Sequence, residues 1–195
     1  MIKNKIWKII DFFINKVDKR KKSQSWKSLV SKPNVNINPS FFPFYKENIF
    51  LLNNSSKITI KKGVNTRKHC NFLVWNNAEL IISENVFFNN YCSINCLEKI
   101  EIGENTLFGE AVKLYDHNHK ISKKEEIAIS KDQFTTAPIK IGKNCWIASN
   151  VVILKGVTIG DNVVVVAGCI IHKSIPSNTI VKNNAFSTFY YDSNA

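Results

Sequence analysis

The chain has few of the features that mark several common classes of protein. Its 195 residues include only seven glycines, and these form no glycine-rich loop of the kind that cradles phosphates. Its five cysteines include no C-x-x-C pair, so neither a redox motif nor a zinc ribbon is indicated, and we expect no metal. The sequence shows neither an apolar run long enough to span a membrane nor a secretory signal, so we expect a cytoplasmic protein.

Acidic residues are also scarce, since 15 Asp and Glu face 27 Lys and Arg. The excess is uneven, because residues 1–36 hold ten basic and two acidic residues and so carry +8 of the net charge of +12. A charge confined to one arm does not indicate nucleic-acid binding. Apolar residues recur at helical spacing from Ile2 to about Lys19, which predicts a basic amphipathic helix. Two uses of this arm stay open: docking on the rest of the protein or another subunit, and peripheral contact with the anionic inner face of a membrane.

A six-residue repeat dominates the C-terminal part of the chain. One aliphatic residue recurs every six positions, and a small or β-branched residue follows each of the first five by four positions. These two sets are Ile141, Ile147, Ile153, Ile159, Val165 and Ile171, and Cys145, Val151, Val157, Val163 and Cys169. Between them, only Asn or Gly stands three positions after the aliphatic residue, and these residue types enter the left-handed backbone region at low cost. Short strands joined by tight corners at one fixed phase predict a parallel β-helix built from hexapeptides.

The same phase extends back to about Ile58 with two breaks. About two residues are inserted between Ile94 and Ile102, and the longer break between Leu114 and Ile141 predicts a loop extruded at about residues 115–138. Long loops on compact repeat domains are often functional. We therefore predict four regions, which are the arm at 1–36, a linker and cap at 37–57, the β-helix at 58–182 and a C-terminal tail at 183–195. Cys92, Cys145 and Cys169 fall on the inward phase and are expected to be structural.

The extruded loop carries the strongest candidates for chemistry, in the segment Tyr115-Asp116-His117-Asn118-His119. Histidine titrates near neutral pH, so it can accept a proton from a hydroxyl group as a general base. Counting in sixes from Ile102 places His119 at an outward position, and His117 stays open as the alternative base. The other histidine or Asp116 would then orient the base or contact the acceptor. Two histidines and one aspartate are too few ligands for a good metal site.

The segment from Ile141 to Val151, together with Gly156-Val157-Thr158-Ile159-Gly160-Asp161-Asn162 and Val166-Ala167-Gly168, resembles the hexapeptide-repeat acyltransferases. The pattern is similar to that of the galactoside, maltose, and capsule or lipopolysaccharide O-acetyltransferases, and it covers about residues 58–182. The resemblance implies a mainly β fold, the left-handed parallel β-helix, here with an N-terminal helical arm and one extruded loop. It also implies a homotrimer with active sites between subunits, and direct transfer of acetyl from acetyl-CoA to a hydroxyl without an acyl-enzyme.

Residue by residue, the resemblance implies the following roles. His119 matches the catalytic base, and Asn89, thirty residues earlier, matches an acceptor-binding asparagine. Trp146 would line the cleft for acceptor and thioester, and the backbone N–H of Ser149 would face the thioester oxygen. The remaining coenzyme contacts would be Ala167 and Gly168 along the pantetheine arm and Lys173 near the phosphates. Leu97 departs from the pattern, because it stands where the galactoside-type enzymes have an acidic sugar-binding residue.

These observations predict an O-acetyltransferase acting on a cell-surface glycan, such as a capsule or lipopolysaccharide sugar. Two alternatives remain open. One is an acetyltransferase for an antibiotic hydroxyl or for the amine of a nucleotide-linked sugar, which the histidine segment does not distinguish. The other is a non-catalytic trimeric β-helix that serves as a binding module, against which the histidines and the outward Trp146 argue.

Overall fold

The computed structural model describes residues 30–41, 49–52, 55–123, 127–182 and 185–187. Most of the predicted basic arm, including its helix, lies outside these residues, as does most of the predicted tail. The chain divides into two compact units, Met1–Asn36 and Ile37–Ala195. Across the described ranges there is no helix whose length and apolar character would let it cross a membrane.

Nearly all of the regular structure is β. In the described ranges the strands are, in chain order, β1 (Val35–Ile37), β2 (Ile49–Leu52), β3 (Lys57–Ile60), β4 (Asn65–Thr66), β5 (Asn71–Val74), β6 (Glu79–Ile82), β7 (Phe87–Phe88), β8 (Ser93–Cys96), β9 (Lys99–Ile102), β10 (Leu107–Phe108), β11 (Lys113–Tyr115), β12 (His117–Lys123), β13 (Ile127–Thr136), β14 (Ile139–Ile141), β15 (Trp146–Ile147), β16 (Val152–Leu154), β17 (Thr158–Ile159), β18 (Val164–Val165), β19 (Ile170–Ile171), β20 (Ile180–Lys182) and β21 (Ala185–Ser187). Strand β1 spans the boundary between the two units, and the other strands belong to the second unit.

Apart from β12, β13 and β21, which pair antiparallel, the strands of the second unit form three parallel sheets, which the chain visits in turn. Face 1 has the order β3-β6-β9-β14-β17, face 2 the order β4-β7-β10-β15-β18-β20, and face 3 the order β2-β5-β8-β11-β16-β19. Three corners join the faces: corner A between faces 1 and 2, corner B between faces 2 and 3, and corner C between faces 3 and 1. In the coil that starts at β14 these are residues 142–145, 148–151 and 155–157. The predicted parallel β-helix is confirmed.

The core of the solenoid consists of the two inward sets of the repeat. Every residue of both sets is buried, with at most 2% of its surface exposed. Like residues stack from coil to coil, so that Ile141 pairs with Ile102 on one side and with Ile159 on the other. Burying each Ile or Val side chain stabilises the fold by about 1.5–3 kcal/mol. All five cysteines are free and buried, so the three predicted inward cysteines belong to this core.

The corners adopt the left-handed backbone conformation that the Asn and Gly positions predict. At corner A, positive φ values occur at Gly63, Asn85, Asn105, Asn144, Asn162 and Asn178. The five asparagines form a ladder in which each side-chain amide donates to the side-chain oxygen of the next, at 2.9–3.3 Å. Corner B follows another pattern, because its positive φ values fall at His69, Tyr91, Ala111, Asn150 and Gly168. The residue types did not predict the first three of these.

Both breaks in the repeat have a structural explanation. The eight-residue step from Ile94 to Ile102 is taken up by the four-residue strands β8 and β9, which turn Cys96 and Ile100 inward as well. The predicted extruded loop is an ordered antiparallel hairpin of β12 and β13 that leaves the solenoid at corner C. The solenoid also begins earlier than the predicted start at residue 58, because β2 pairs in parallel with β5.

Candidate active site

The base of the hairpin is held by a buried carboxylate, that of Asp116, which is 0% exposed. Its oxygens accept hydrogen bonds from the backbone N–H groups of Leu97 at 2.8 and 3.0 Å, Glu98 at 2.8 Å and Lys99 at 3.0 Å. Its carbonyl oxygen accepts a bond from Ala137 N–H at 2.9 Å, where the hairpin rejoins the solenoid. Charge-assisted bonds of this kind are about twice as strong as neutral ones. Asp116 therefore ties the hairpin to the corner between β8 and β9, a placement that favours the orienting role over contact with an acceptor.

His117 is the first of the two histidines on the hairpin. Its Nδ1 lies 3.3 Å from Oδ1 of Asp116, and 16% of its side chain is exposed. The ring packs edge to face against Tyr115, with centroids 6.0 Å apart, and against Phe134, with centroids 5.4 Å apart. His117 is thus oriented by a carboxylate but partly enclosed by two aromatic rings.

His119 lies two residues further along the same strand and is exposed. Its Nδ1 is 2.9 Å from the carbonyl oxygen of Ser130 on the opposite strand, and its ring packs on Phe134 with centroids 4.8 Å apart. A carbonyl oxygen only accepts hydrogen bonds, so Nδ1 must donate, and a neutral ring then carries its lone pair on Nε2. The lone pair of His119 is therefore on the ring nitrogen that does not contact Ser130.

A bulge in the hairpin creates this arrangement. His119 pairs with Phe134 and Ile121 pairs with Ile129, so a single residue on β12 faces the four residues 130–133 on β13. The bulge is closed by a hydrogen bond from Gln133 N–H to Oγ of Ser130 at 3.1 Å. Bulges re-aim side chains and backbone groups next to active sites. His119 is outward as the count in sixes predicts, but the hairpin and not a coil position sets its direction.

Trp146 stands on face 2 in a column of outward apolar residues. It pairs with Leu107 on one side and Val164 on the other, and Leu107 pairs in turn with Phe87. Trp146 is 53% exposed and Leu107 is 47% exposed, so the column forms an apolar ridge open to the outside of this subunit. The outward direction predicted for Trp146 is the one observed.

The remaining predicted contacts lie mostly at corner B. Asn89 is half-buried, and its side-chain oxygen accepts a bond from Asn90 N–H at 2.9 Å. Ser149 uses its Oγ to accept a bond from Glu110 N–H at 3.2 Å. Ala167 and Gly168 are exposed. A Cβ on Gly168 would meet nothing within 4 Å, so the backbone there is open to a ligand.

The backbone N–H of Ser149 makes no hydrogen bond to any part of the chain that the structure describes. Gly109, on the preceding coil, leaves room for this group, because a Cβ at Gly109 would lie 2.5 Å from Ser149 N. A backbone N–H without a partner in the protein is the kind of donor that stabilises a developing oxyanion. Lys173 lies at corner C, exposed, after the last strand of face 3.

A single copy of the chain does not bring all the predicted site residues together. Asp116, His117, His119 and Lys173 belong to corner C, whereas Asn89, Trp146, Ser149, Ala167 and Gly168 belong to face 2 and corner B. The strands of face 3 separate the two groups. The sequence also did not single out Ser130 or Phe134, although Phe134 is the one Phe, Tyr or Trp in the stretch 116–138.

Comparisons with known proteins agree with this fold. Residues 138–173 match the family described as "Bacterial transferase hexapeptide (six repeats)". The chain is 31% identical over 146 residues to WbbJ of Escherichia coli K12, and the alignment covers 72% of this chain and 71% of WbbJ. WbbJ is provisionally assigned as a lipopolysaccharide biosynthesis O-acetyl transferase.

Two solved structures are also similar. The maltose O-acetyltransferase of Clostridium difficile 630 has a TM-score of 0.53 and 32% identity, with 68% of each chain covered. The hexapeptide-repeat acetyltransferase VCA0836 of Vibrio cholerae has a TM-score of 0.50 and 26% identity, with 62% of this chain and 65% of that chain covered. The chain therefore belongs to the hexapeptide-repeat acyltransferases, with their left-handed parallel β-helix, and it is an acyltransferase enzyme.

Proposed function

We propose that the protein transfers an acetyl group from acetyl-CoA to a hydroxyl of a cell-surface glycan, such as a capsule or lipopolysaccharide sugar. The observation that carries the proposal is the exposed His119 ring, whose Nδ1 contact with the Ser130 carbonyl leaves the lone pair on Nε2. The names of WbbJ and the maltose enzyme, which both specify O-acetyl transfer, support a sugar hydroxyl as the acceptor.

In the proposed mechanism, Nε2 of His119 accepts the proton of the acceptor hydroxyl while its oxygen attacks the thioester carbonyl carbon. General base catalysis of this kind is worth roughly 10²–10⁴-fold in rate. The N–H of Ser149 donates to the oxyanion of the tetrahedral intermediate. The carbon–sulfur bond then breaks, and the coenzyme A thiolate takes the proton back from the His119 imidazolium. The products are an acetyl ester and coenzyme A, without an acyl-enzyme.

The active site is proposed to form between two copies of the chain in a homotrimer. The hairpin of one copy would supply His119, and the face 2 ridge and corner B of its neighbour would supply Trp146 and Ser149. Two features of the single copy support this arrangement: face 3 separates the two groups of residues, and Leu107 and Trp146 of the apolar ridge are about half exposed. Exposed apolar ridges of this kind commonly mark protein interfaces.

Acetyl-CoA would lie along corner B, with its pantetheine arm against Ala167 and the open backbone of Gly168. Lys173 lies at corner C, so it is proposed to contact the coenzyme phosphates from the copy that supplies the hairpin. Because acetyl-CoA is a cytoplasmic metabolite, we place the reaction in the cytoplasm, with the basic N-terminal arm as the element that would hold the enzyme at the inner face of a membrane.

Mixing two inactive variants tests the composite site. His119→Ala and Trp146→Ala each remove one half, so trimers refolded from a mixture contain some sites with both halves intact. We expect little coenzyme A release from either variant alone and recovery of a clear fraction of wild-type release from the mixture. A mixture as inactive as its components, in trimers shown by native mass spectrometry to be mixed, would argue that both groups act within one copy.

A panel of acceptors tests the substrate class. Coenzyme A release would be measured with mono- and oligosaccharides, deacetylated lipopolysaccharide and capsular polysaccharide, amino sugars linked to nucleotides, and chloramphenicol. We expect turnover with the glycans, with the product identified as an O-acetyl ester by its lability to mild base. Preference for the nucleotide-linked amine or for chloramphenicol would replace the glycan as acceptor, and failure to bind acetyl-CoA in calorimetry would favour a non-catalytic module.

A further inference from the structure

The most unusual group of residues outside the site is a pair of stacked aromatic rings at corner B. The rings of His69 and Tyr91 lie 4.9 Å apart between centroids, with an angle of 6° between their planes. Both residues are exposed, and Tyr91 is exposed to 58%. They occupy successive coils of the solenoid at the same corner position.

Their backbone conformation is costly for residues of this type. His69 has a φ of 59° and Tyr91 a φ of 63°, in the left-handed region that costs a residue with a side chain roughly 1–2 kcal/mol. Corner A avoids this cost by placing only Asn or Gly at the equivalent positions. Bulky residues held in this region often mark functional surfaces. The core does not require Tyr91 there, because its side chain points away from the core.

The position of the pair relative to the proposed site suggests its use. Tyr91 lies in the same corner turn as Asn89, the proposed acceptor-binding residue, with only Asn90 between them. Along corner B the positive-φ positions run His69, Tyr91, Ala111, Asn150 and Gly168, so the pair extends the edge that carries Ser149 and Gly168, on the side away from the coenzyme. Neighbouring coils are about 4.8 Å apart, which is close to the length of one sugar ring in a glycan chain.

We propose that the Tyr91 ring, which stacks on His69 with one face, is a platform whose other face packs on a neighbouring sugar ring of the glycan acceptor, one or two units from the ring being acetylated. This proposal rests on the proposed function. The apolar face of a sugar ring packs on the face of an aromatic ring, and a tyrosine adds a polar edge for the sugar hydroxyls. The Tyr91 hydroxyl has no hydrogen-bond partner in the described part of the chain, so it is available for that contact.

The polar residues around the platform are already ordered, which suits a pre-formed binding surface. The side-chain oxygen of Asn90 accepts a bond from Lys68 N–H at 3.2 Å, and its amide donates to Glu110 at 3.2 Å. The backbone N–H of Tyr91 donates to the Lys68 carbonyl at 3.0 Å. These contacts hold the two coils in register, so binding would not need to order the loops first.

Binding without coenzyme tests the platform separately from transfer. Dissociation constants would be measured by saturation-transfer NMR for maltooligosaccharides of one to seven units and for deacylated lipopolysaccharide oligosaccharide from Escherichia coli K12. Tyr91→Asn removes the ring and places a residue that tolerates the left-handed conformation, so the variant should fold. We expect this variant to raise the dissociation constants of the longer oligosaccharides about five- to tenfold and to leave that of the monosaccharide unchanged.

Two variants serve as controls. Tyr91→Phe keeps the ring and should bind within about threefold of the wild type, and Trp75→Asn removes an exposed aromatic ring from corner C and should change nothing. Equal affinity of Tyr91→Asn and the wild type for every length, or no binding of either oligosaccharide series, would overturn the platform. A third outcome separates the two proposals. If Tyr91→Asn loses binding of the longer oligosaccharides but the wild type transfers no acetyl group, the platform stands and the proposed function is wrong.

Discussion

The Nδ1 atom of His119 lies 2.9 Å from the carbonyl oxygen of Ser130, across the bulge of the hairpin. This contact fixes which nitrogen of the neutral ring carries the proton and leaves the lone pair on Nε2, the nitrogen that we propose as the base. His117 has a corresponding contact with Asp116 at 3.3 Å. The two histidines are therefore both oriented, and they differ mainly in access, because His117 is enclosed by Tyr115 and Phe134.

Replacing each histidine in turn tests this difference. We expect His119→Ala to lower kcat/KM by roughly 10²–10⁴-fold, because it removes the proton acceptor. His117→Ala is the matched control on the same strand and should lose less than about tenfold. Both variants should retain the wild-type circular dichroism spectrum and elution volume. The opposite order of effects, with His117→Ala the more damaged enzyme, would move the base to His117 and its partner Asp116.

We expect the Asp116 carboxylate to make a large contribution to the free energy of unfolding. Its carboxylate is buried and accepts hydrogen bonds from Leu97, Glu98 and Lys99. Asp116→Ala leaves these N–H groups without a partner, and we expect it to lower the free energy of unfolding by about 3–5 kcal/mol. Asp116→Asn keeps one accepting oxygen and should cost about 1–3 kcal/mol.

Urea denaturation measures both variants against the wild type. Asp132→Asn, an exposed aspartate in the bulge of the same hairpin, is the control and should be neutral within about 0.5 kcal/mol. An Asp116→Asn variant with an unchanged unfolding midpoint would show that the carboxylate does not hold the base of the hairpin.

The sequence predicted the solenoid well because its repeat is a local property. The residue type of Asn144 and Asn162 predicts their left-handed backbone conformation, because few other residue types adopt it at low cost. Tyr91 and Ala111 adopt the same conformation at corner B, and nothing in their residue type indicates this, because the neighbouring coils impose it. The left-handed corner positions could therefore be predicted only where the chain has Asn or Gly at the corner.

The candidate site was predictable in composition but not in arrangement. The residue types alone identify His117, His119 and Asp116 as candidates. Their orientation depends on the pairing of His119 with Phe134 in the hairpin and on the bulge beside it, which no local sequence pattern predicts. The division of the predicted residues between corner B and corner C depends on which face each strand joins. That assignment requires the coil lengths, which vary because strands such as β8 and β9 are longer than a hexapeptide allows.

The asparagine ladder of corner A gives a test of backbone strain. Asn144 has a φ of 56°. Its side chain accepts a hydrogen bond from Asn105 and donates one to Asn162. Asn144→Gly loses only the ladder bonds, whereas Asn144→Ala also places a Cβ in the left-handed region. We expect the alanine variant to be about 1–2 kcal/mol less stable than the glycine variant. Thermal and urea unfolding measure this difference, and equal stability of the two variants would mean that the corner relaxes to another conformation.

Cys96 should make the stability of the fold depend on alkaline pH. Burial raises the pKa of its thiol far above the ordinary value, and the negative charge of nearby Asp116 raises it further. The folded protein therefore keeps this proton at pH values where the unfolded chain, with a thiol pKa of about 8.5, releases it. A folded pKa above the unfolded one gives a stabilisation that is complete below the unfolded pKa and is lost as the pH rises.

A comparison of the wild type with Cys96→Ala isolates this effect, because alanine cannot ionise and its packing loss does not depend on pH. We expect the stability advantage of the wild type over Cys96→Ala to shrink by about 1.5–2 kcal/mol between pH 8 and pH 10. Cys145→Ala is a second test, since burial also raises the pKa of that thiol, and its advantage should shrink in the same direction. Urea denaturation at each pH gives the free energies of unfolding. An advantage that stays constant over this range would show that the Cys96 thiol ionises as easily in the folded protein as in the unfolded chain.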